Sequence, residues 1–221
     1  MWKFPFFKPK DVNDLWQVAA FPNTYPGSGY QISEAIKTNS SHGYIRWLQK
    51  KGFIHLASGA FSTVLGHPKS DRVIKVCHNP DAWIDYVYWG AKQGYAGRFV
   101  PKVYSFKKHP DFYVAVMEKL EYTASHADRK SEAYVANNLI SLSLDCNNDT
   151  AKQLLDLIVP GMEAFSVAMK ERFKGERLDI HGGNIMFRKD GGMVVVDPVC
   201  HEFSQHWVRL RESNFSPVTF H

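Results

Sequence analysis

The sequence predicts an α+β fold with two lobes: an antiparallel, β-rich N-lobe that contains one helix, and a short, mostly helical C-lobe. Up to residue 120, apolar and small residues alternate in short segments separated by glycine and proline, a pattern typical of strands and turns. After residue 120, the apolar residues follow helical spacing. The length of 221 residues is sufficient for two such lobes.

The N-terminal part of the chain yields elements in a regular order. Residues 1–52 are interpreted as an extended arm and a helical cap with short helices in QISEAIKTNS and SHGYIRWLQKKG, the second of which ends at Gly52. The β-rich N-lobe then covers residues 53–120, and its first part, residues 53–78, predicts three strands joined by two turns. A helix follows in NPDAWIDYVYWGAKQG, which has proline at its first position and glycine after its last. Two more strands are predicted in FVPKVYSFKKHPDFYVAVMEKL, divided at His109-Pro110-Asp111.

The C-lobe, residues 121–221, begins with helical segments. These are SEAYVANNLISLSL and the longer TAKQLLDLIVPGMEAFSVAMKERF, in which Pro160 predicts a break or kink. The segment RLDIHGGNIMFRKDGGMVVVDPV, residues 177–199, predicts a loop followed by a β-hairpin.

The composition excludes several classes of protein. A hydrophobic content of 44% and a charged content of 22% are those of a folded chain, and no run of eighteen apolar residues predicts a membrane span. Three cysteines without metal-type spacing indicate a reducing compartment, so a cytoplasmic location is expected. The net charge of +5 is scattered over several short clusters, which indicates a solvated surface and gives no reason to require nucleic acid. The oligomeric state stays open.

Two acids and an amide in residues 177–199 carry the strongest chemical signal. Asp179 precedes Asn184 by five positions, a spacing typical of loops that catalyse phosphoryl transfer. The predicted hairpin of IMF and MVVVD returns Asp197 beside Asn184, where an amide and a carboxylate could coordinate Mg²⁺ through hard oxygen ligands. Asp179 would accept or orient the proton of a substrate hydroxyl.

The N-lobe offers residues for binding nucleotide phosphates. The segment LASGAFSTVL predicts a hairpin in which Gly59 permits close backbone approach, Phe61 sits at the tip and Val64 would press on a purine ring. The remaining candidates of this turn are the small residues Ala57, Ser58 and Ser62. Ala57 and Ser62 stand where glycine is usual. Lys75 in RVIKV is the candidate phosphate-binding cation, although a lysine in such a strand can also point to solvent from a sheet edge.

The order of these motifs resembles the protein-kinase-like fold. GAFSTV, RVIKV and DIHGGNIMF followed by DPV are most similar to the early serine/threonine protein kinases of autographivirus-type bacteriophages, over about residues 53–200. The resemblance implies Mg²⁺-dependent transfer of the ATP γ-phosphate to bacterial host proteins, in the host cytoplasm. It also implies that Met117 lies at the back of an adenine pocket and that the backbones of Glu118 and Leu120 bond the purine edge.

Two departures from the usual kinase pattern concern the surroundings of Lys75 and of Asp197. No glutamate lies between Lys75 and Glu118, so Asp85 is the best candidate partner for the lysine, with an exposed helix acid as the alternative. Pro198-Val199 stands where Phe-Gly usually follows the magnesium aspartate, and the fixed φ of proline predicts a constitutively set site.

Two other functions stay open on the sequence. His181 occupies a loop position in a form similar to aminoglycoside phosphotransferases, which keeps a small-molecule acceptor as an alternative. The thin glycine loop and the missing glutamate also allow a catalytically weak, pseudokinase-like protein that binds and inhibits host machinery.

Overall fold

The computed structural model of the chain describes residues 40–78, 82–109, 111–122, 148–180 and 182–200, together with the helical positions 135, 138 and 140. These residues fall into two compact units. The first contains described residues 40–78 and 103–119, and the second contains 82–102 and the described residues from 120 to 200. The predicted helix in QISEAIKTNS, most of that in SEAYVANNLISLSL, and residues 201–221 lie outside the described residues.

The first unit is built on a five-stranded antiparallel sheet. Its strands are β1 (Ile54–Ser58), β2 (Ser62–Gly66), β3 (Arg72–Cys77), β4 (Val103–Lys108) and β5 (Tyr113–Glu118), in the spatial order β1-β2-β3-β5-β4. The three strands and two turns predicted for residues 53–78 are therefore confirmed. So are the two strands on either side of His109-Pro110-Asp111.

Helix α1 (Ser41–Lys50) covers one face of this sheet. It begins at Ser40, whose Oγ accepts a hydrogen bond from Gly43 N at 3.2 Å. It ends before Gly52, whose φ of 91° confirms the predicted glycine stop. The shared apolar core contains residues of α1, the following Phe53, the strands and the β4–β5 turn: Tyr44, Trp47, Leu48, Phe53, Leu65, Ile74, Val76, Phe112, Val114 and Val116.

Among the described residues, the second unit has three α-helices with defined ends and two small sheets. The helices are α2 (Trp83–Lys92), α3 (Asp149–Ile158) and α4 (Met162–Arg172). They confirm a helix within NPDAWIDYVYWGAKQG and the predicted break at Pro160, while Pro80, predicted at the first helical position, lies outside the described residues. A three-stranded sheet has the order β6-β8-β9, formed by β6 (Glu121–Tyr122), β8 (Ile185–Phe187) and β9 (Met193–Val195). A two-stranded sheet pairs β7 (Arg177–Leu178) with β10 (Val199–Cys200).

Aromatic packing and a hydrogen bond from the Arg98 side chain to the backbone stabilise the second unit. Phe165 of α4 lies 5.1 Å from Tyr95 and 5.2 Å from Phe99, measured between ring centroids. Arg98 donates to Pro160 O at 2.9 Å, at the break between α3 and α4. The chain is thus α+β, with an antiparallel five-stranded sheet and four helices of described bounds. Within the described residues, none of the helices has both the length and the apolar character required to cross a membrane.

Candidate active site

The strand register places the candidate cation in a defined row of the first unit. Lys75 of β3 pairs with Val64 of β2 on one side and with Ala115 of β5 on the other. Directly paired residues share a face of the sheet, and neighbours along a strand point to opposite faces. Ile74 and Val76 pack in the core with α1, so Lys75 and Val64 lie on the opposite face. Met117, two positions beyond Ala115, shares that face.

Lys75 is almost fully buried, with 5% of its surface exposed, and its strand lies between β2 and β5. The alternative in which it points to solvent from an edge strand is therefore wrong. A buried ammonium is costly to desolvate unless it serves an anionic partner or a ligand. The position is thus compatible with phosphate binding.

The turn between β1 and β2 is closed by backbone hydrogen bonds. Gly59 N donates to Ser62 O at 2.9 Å, and His78 N at the end of β3 donates to Phe61 O at 2.9 Å. A Cβ atom added at Gly59 would have no atom within 4 Å, and the φ of Gly59 lies outside the left-handed region. The folded chain therefore does not itself require glycine at position 59.

The side chains around this turn differ in exposure. Ser58 is exposed, and its Oγ lies 2.8 Å from His55 Nε2 and 3.2 Å from Thr63 Oγ1. Ser62 is buried, and Ala57 is half-buried. The Ser58–Thr63 contact joins β1 to β2 across the hairpin, whereas the Ser58–His55 contact lies within β1.

Sequence reasoning missed one apolar residue on the Lys75 face. Leu56 is 40% exposed, and its Cδ1 would lie 2.7 Å from a Cβ added at Gly66. Gly66 is two positions beyond Val64 on the same face, so Leu56 lies over that face of the sheet. The signal was present in the sequence, as an apolar residue directly before the small-residue turn.

The segment predicted to bond a purine edge follows β5. Met117 is 7% exposed and Leu120 is 9% exposed. The intervening Lys119 donates its backbone N–H to Asp71 O at 2.9 Å. Glu118 ends β5 opposite Arg72 of β3. Their contact with a purine stays a prediction.

Three hydrogen bonds in the second unit join the segments of Asp179, Asn184 and Asp197. Asn184 Nδ2 donates to Asp179 O at 2.7 Å. Val196 N donates to Asn184 O at 2.8 Å, and Asp179 N donates to Pro198 O at 2.7 Å. The predicted hairpin of IMF and MVVVD is thus observed as β8 and β9. The β7–β10 pair closes the arrangement on the other side of Asp197.

The orientation of Asn184 suits a metal ligand. A backbone carbonyl can only accept, so the atom that faces Asp179 O must be the donor Nδ2. The amide oxygen Oδ1 is then on the other arm of the side chain. Oxygen ligands from one amide and one carboxylate are what Mg²⁺ prefers, with water and phosphate oxygens completing its octahedron.

Among the described residues, no group of three or more His, Cys, Asp or Glu side chains could hold a metal ion. Such a group is expected where protein side chains supply nearly all the ligands of a metal ion. A magnesium ion shared with phosphates needs only one or two protein carboxylates. The Asn184 and Asp197 pair therefore fits Mg²⁺ bound with a nucleotide, and does not fit a structural metal.

A buried tyrosine that sequence reasoning also missed lies next to this arrangement. Tyr86 of α2 is fully buried, and its hydroxyl donates to Val195 O at 2.7 Å. Burial raises the pKa of Tyr86 well above 10.0, and the negative charge of Asp197 raises it further. Tyr86 lies 109 residues before its acceptor, so no local sequence pattern could have linked the two residues.

Asp85, the candidate partner of Lys75, lies in the first turn of α2 and is half-buried. It belongs to the second unit, whereas Lys75 belongs to the first. Their pairing stays a prediction. His181 lies outside the described residues.

Comparison with known proteins agrees with the motif order. The sequence profile of one family, described as bacteriophage T7 protein kinase 0.7, matches residues 23–217. The match extends beyond residues 53–200 on both sides, so it includes part of the N-terminal region. A search of curated proteins found no match. Membership of a kinase family implies the use of ATP and of a divalent metal. The chain belongs to the bacteriophage T7 protein kinase 0.7 family.

Proposed function

We propose that this phage kinase transfers the γ-phosphate of Mg-ATP to serine or threonine residues of bacterial host proteins in the host cytoplasm. One observation carries the proposal: Asp179, Asn184 and the residues flanking Asp197 are joined by short hydrogen bonds. A surface loop of unrelated polar residues has no need of three such bonds. A catalytic loop does need them, because it must hold two carboxylates and one amide at fixed positions relative to one another.

In this proposal, residues 53–120 form the nucleotide-binding lobe. Lys75 contacts the phosphates, and the purine ring rests on Val64 with Met117 behind it. The backbones of Glu118 and Leu120 bond the purine edge. The phosphates lie under the β1–β2 turn, whose members are Ala57, Ser58, Gly59, Phe61 and Ser62.

The second unit supplies the chemistry. Asp179 accepts a hydrogen bond from the substrate hydroxyl and takes its proton as the oxygen attacks the γ-phosphorus. The bond from the γ-phosphorus to the β,γ-bridging oxygen breaks, and ADP leaves with that oxygen. Asn184 and Asp197 would hold Mg²⁺, which would supply positive charge to offset that of the phosphates. The hydrogen bond from Asp179 N to Pro198 O keeps Asp179 and the Asp197 segment in fixed register throughout.

Radiolabelled ATP tests the proposal directly. The purified chain is incubated with ATP and Mg²⁺ in a bacterial lysate, and label on protein is measured for wild type, Asp179→Ala and Asp197→Ala. Asp179→Ala should lose roughly 10²–10⁴-fold in rate, the usual contribution of a positioned acid–base group, while ATP binding survives. The control is Asp111→Ala, since Asp111 is an exposed acid of the β4–β5 turn.

The same assay separates the other functions. Unchanged turnover in Asp179→Ala would reject the assignment of that residue. ATP binding without transfer to any acceptor would indicate a protein that acts by binding. Label on a small metabolite and none on protein would indicate a small-molecule phosphotransferase.

A further inference from the structure

At the end of strand β9, both the N–H and the C=O of Val195 make hydrogen bonds outside the strand's own sheet. Val195 is 1% exposed, and β9 is the edge strand of its sheet. Val196 N bonds to Asn184 O, so the N–H and C=O of Val195, one residue earlier, point away from β8. A buried edge would leave both groups without partners, which is costly. Phe99 O accepts from Val195 N at 2.9 Å, and the Tyr86 hydroxyl donates to Val195 O at 2.7 Å.

The Tyr86 side chain has little freedom to move. It is fully buried on α2, and its ring lies 6.2 Å from that of Trp89 and 6.3 Å from that of Phe173, between centroids. A hydroxyl held by a packed ring gives its hydrogen bond a fixed direction. The acceptor, Val195 O, is two residues before Asp197.

We propose that Tyr86 is a positioning residue that fixes the end of β9 and thereby the direction of the Asp197 carboxylate toward bound magnesium. The inference rests on the proposed function, since it assumes that Asp197 holds the metal. Asp197 lies in a short segment bonded at Val195 and Val196 on one side and at Pro198 on the other. Of these bonds, only the one from Tyr86 comes from a side chain of α2.

Tyr86→Phe tests this inference because it removes the hydroxyl and keeps the ring. Without its donor, the end of β9 should open more often, so amide hydrogen exchange should speed up in residues 193–197. The Mg²⁺ concentration for half-maximal activity should rise about tenfold, the lower end of the effect of residues that orient metal ligands. The KM for the protein acceptor should not change. A role in stability alone would lower the melting temperature and leave the Mg²⁺ requirement where it was.

Tyr44→Phe is the matched control. Tyr44 is also a buried tyrosine, and its hydroxyl has no hydrogen-bond partner among the described residues. Loss of the Tyr44 hydroxyl should change neither the Mg²⁺ requirement nor amide hydrogen exchange in residues 193–197. Equal Mg²⁺ requirements in wild type and Tyr86→Phe would overturn the inference. A wild type without phosphoryl transfer would instead overturn the proposed function.

A measurement on the wild type decides the matter if Tyr86→Phe does not fold. The backbone amides of Val196 and Asp179 should exchange slowly without nucleotide or metal, because both donate short hydrogen bonds within this arrangement. Exchange as fast as in an exposed loop would show that the end of β9 is not held before ligands bind. That result would also overturn the inference.

Discussion

His109 shows how one residue gives the first unit a pH dependence. It follows β4 and stacks on Phe112 with 4.3 Å between ring centroids, and it lies 5.4 Å from the ring of Tyr44. Its Nε2 is buried, and no hydrogen-bond partner for it lies among the described residues. Burial, and to a smaller extent the positive charge of Lys107, lower the pKa of His109 from 6.5 to about 4.

This pKa predicts that acid weakens the fold well before most carboxylates titrate. Between pH 6.5 and about 4, the unfolded chain binds a proton at this position that the folded chain does not bind. The free energy of unfolding should therefore fall as the pH drops through that window, by ~1–2 kcal/mol, a reduced figure because the ring is partly exposed. Urea unfolding of wild type and His109→Phe at pH 7 and pH 5 measures this. An equal loss in both proteins would contradict it.

At the scale of the element, the β1–β2 hairpin contains a glycine for which the chain has no structural need. The φ of Gly59 lies outside the left-handed region, and no atom lies within 4 Å of where a Cβ would stand. The small-residue turn is otherwise closed by its own hydrogen bonds. A need for glycine at this position would therefore come from a ligand that approaches the backbone.

Gly59→Ala should consequently change stability and binding in opposite directions. Alanine reduces the entropy of the unfolded chain and strains nothing, so the free energy of unfolding should rise by up to about 1 kcal/mol. The KM for ATP should rise about tenfold or more, the cost of one lost hydrogen bond to a charged phosphate. Thermal unfolding and steady-state kinetics give the two numbers.

Gly161→Ala is the control for that substitution. Gly161 has a φ of 82°, and a Cβ there would lie 2.6 Å from Arg98 Nη2. This variant should lose stability and keep the KM for ATP. If Gly59→Ala left the KM unchanged, the hairpin would not be the phosphate-binding element.

At the scale of the whole molecule, ligand binding and folding are linked. Any ligand that binds only the folded chain raises the free energy of unfolding, by ~2.7 kcal/mol at a concentration one hundred times its Kd. For a chain of this length, that corresponds to an increase in melting temperature of about 5–10 °C.

Mg-ATP should therefore raise the melting temperature, and ATP with EDTA should raise it much less. Asp197→Asn keeps the shape of the side chain and removes its charge, so it should lose most of the difference that magnesium makes. Asp111→Ala should keep it. A shift that is equal with and without magnesium would indicate that the net charge of +5 attracts the nucleotide without a metal site.

The sequence by itself determined the main strands and helices of the described residues and the closeness of Asp179, Asn184 and Asp197 along the chain. Both are local properties: glycine and proline end helices and strands, and a spacing of five places Asp179 and Asn184 in one loop. The return of Asp197 was predictable for the same reason, since a short hairpin joins it to Asn184.

Only the tertiary structure decided the matters that depend on distant segments. Whether Lys75 lies at an edge or in the centre depends on β5 pairing with β3, with β4 on the outside, and nothing local in RVIKV specifies that order. The hydrogen bond from Tyr86 to Val195 joins residues 109 positions apart. Such contacts form only when the whole core assembles, because their stability comes from shared burial and not from neighbouring residues along the chain.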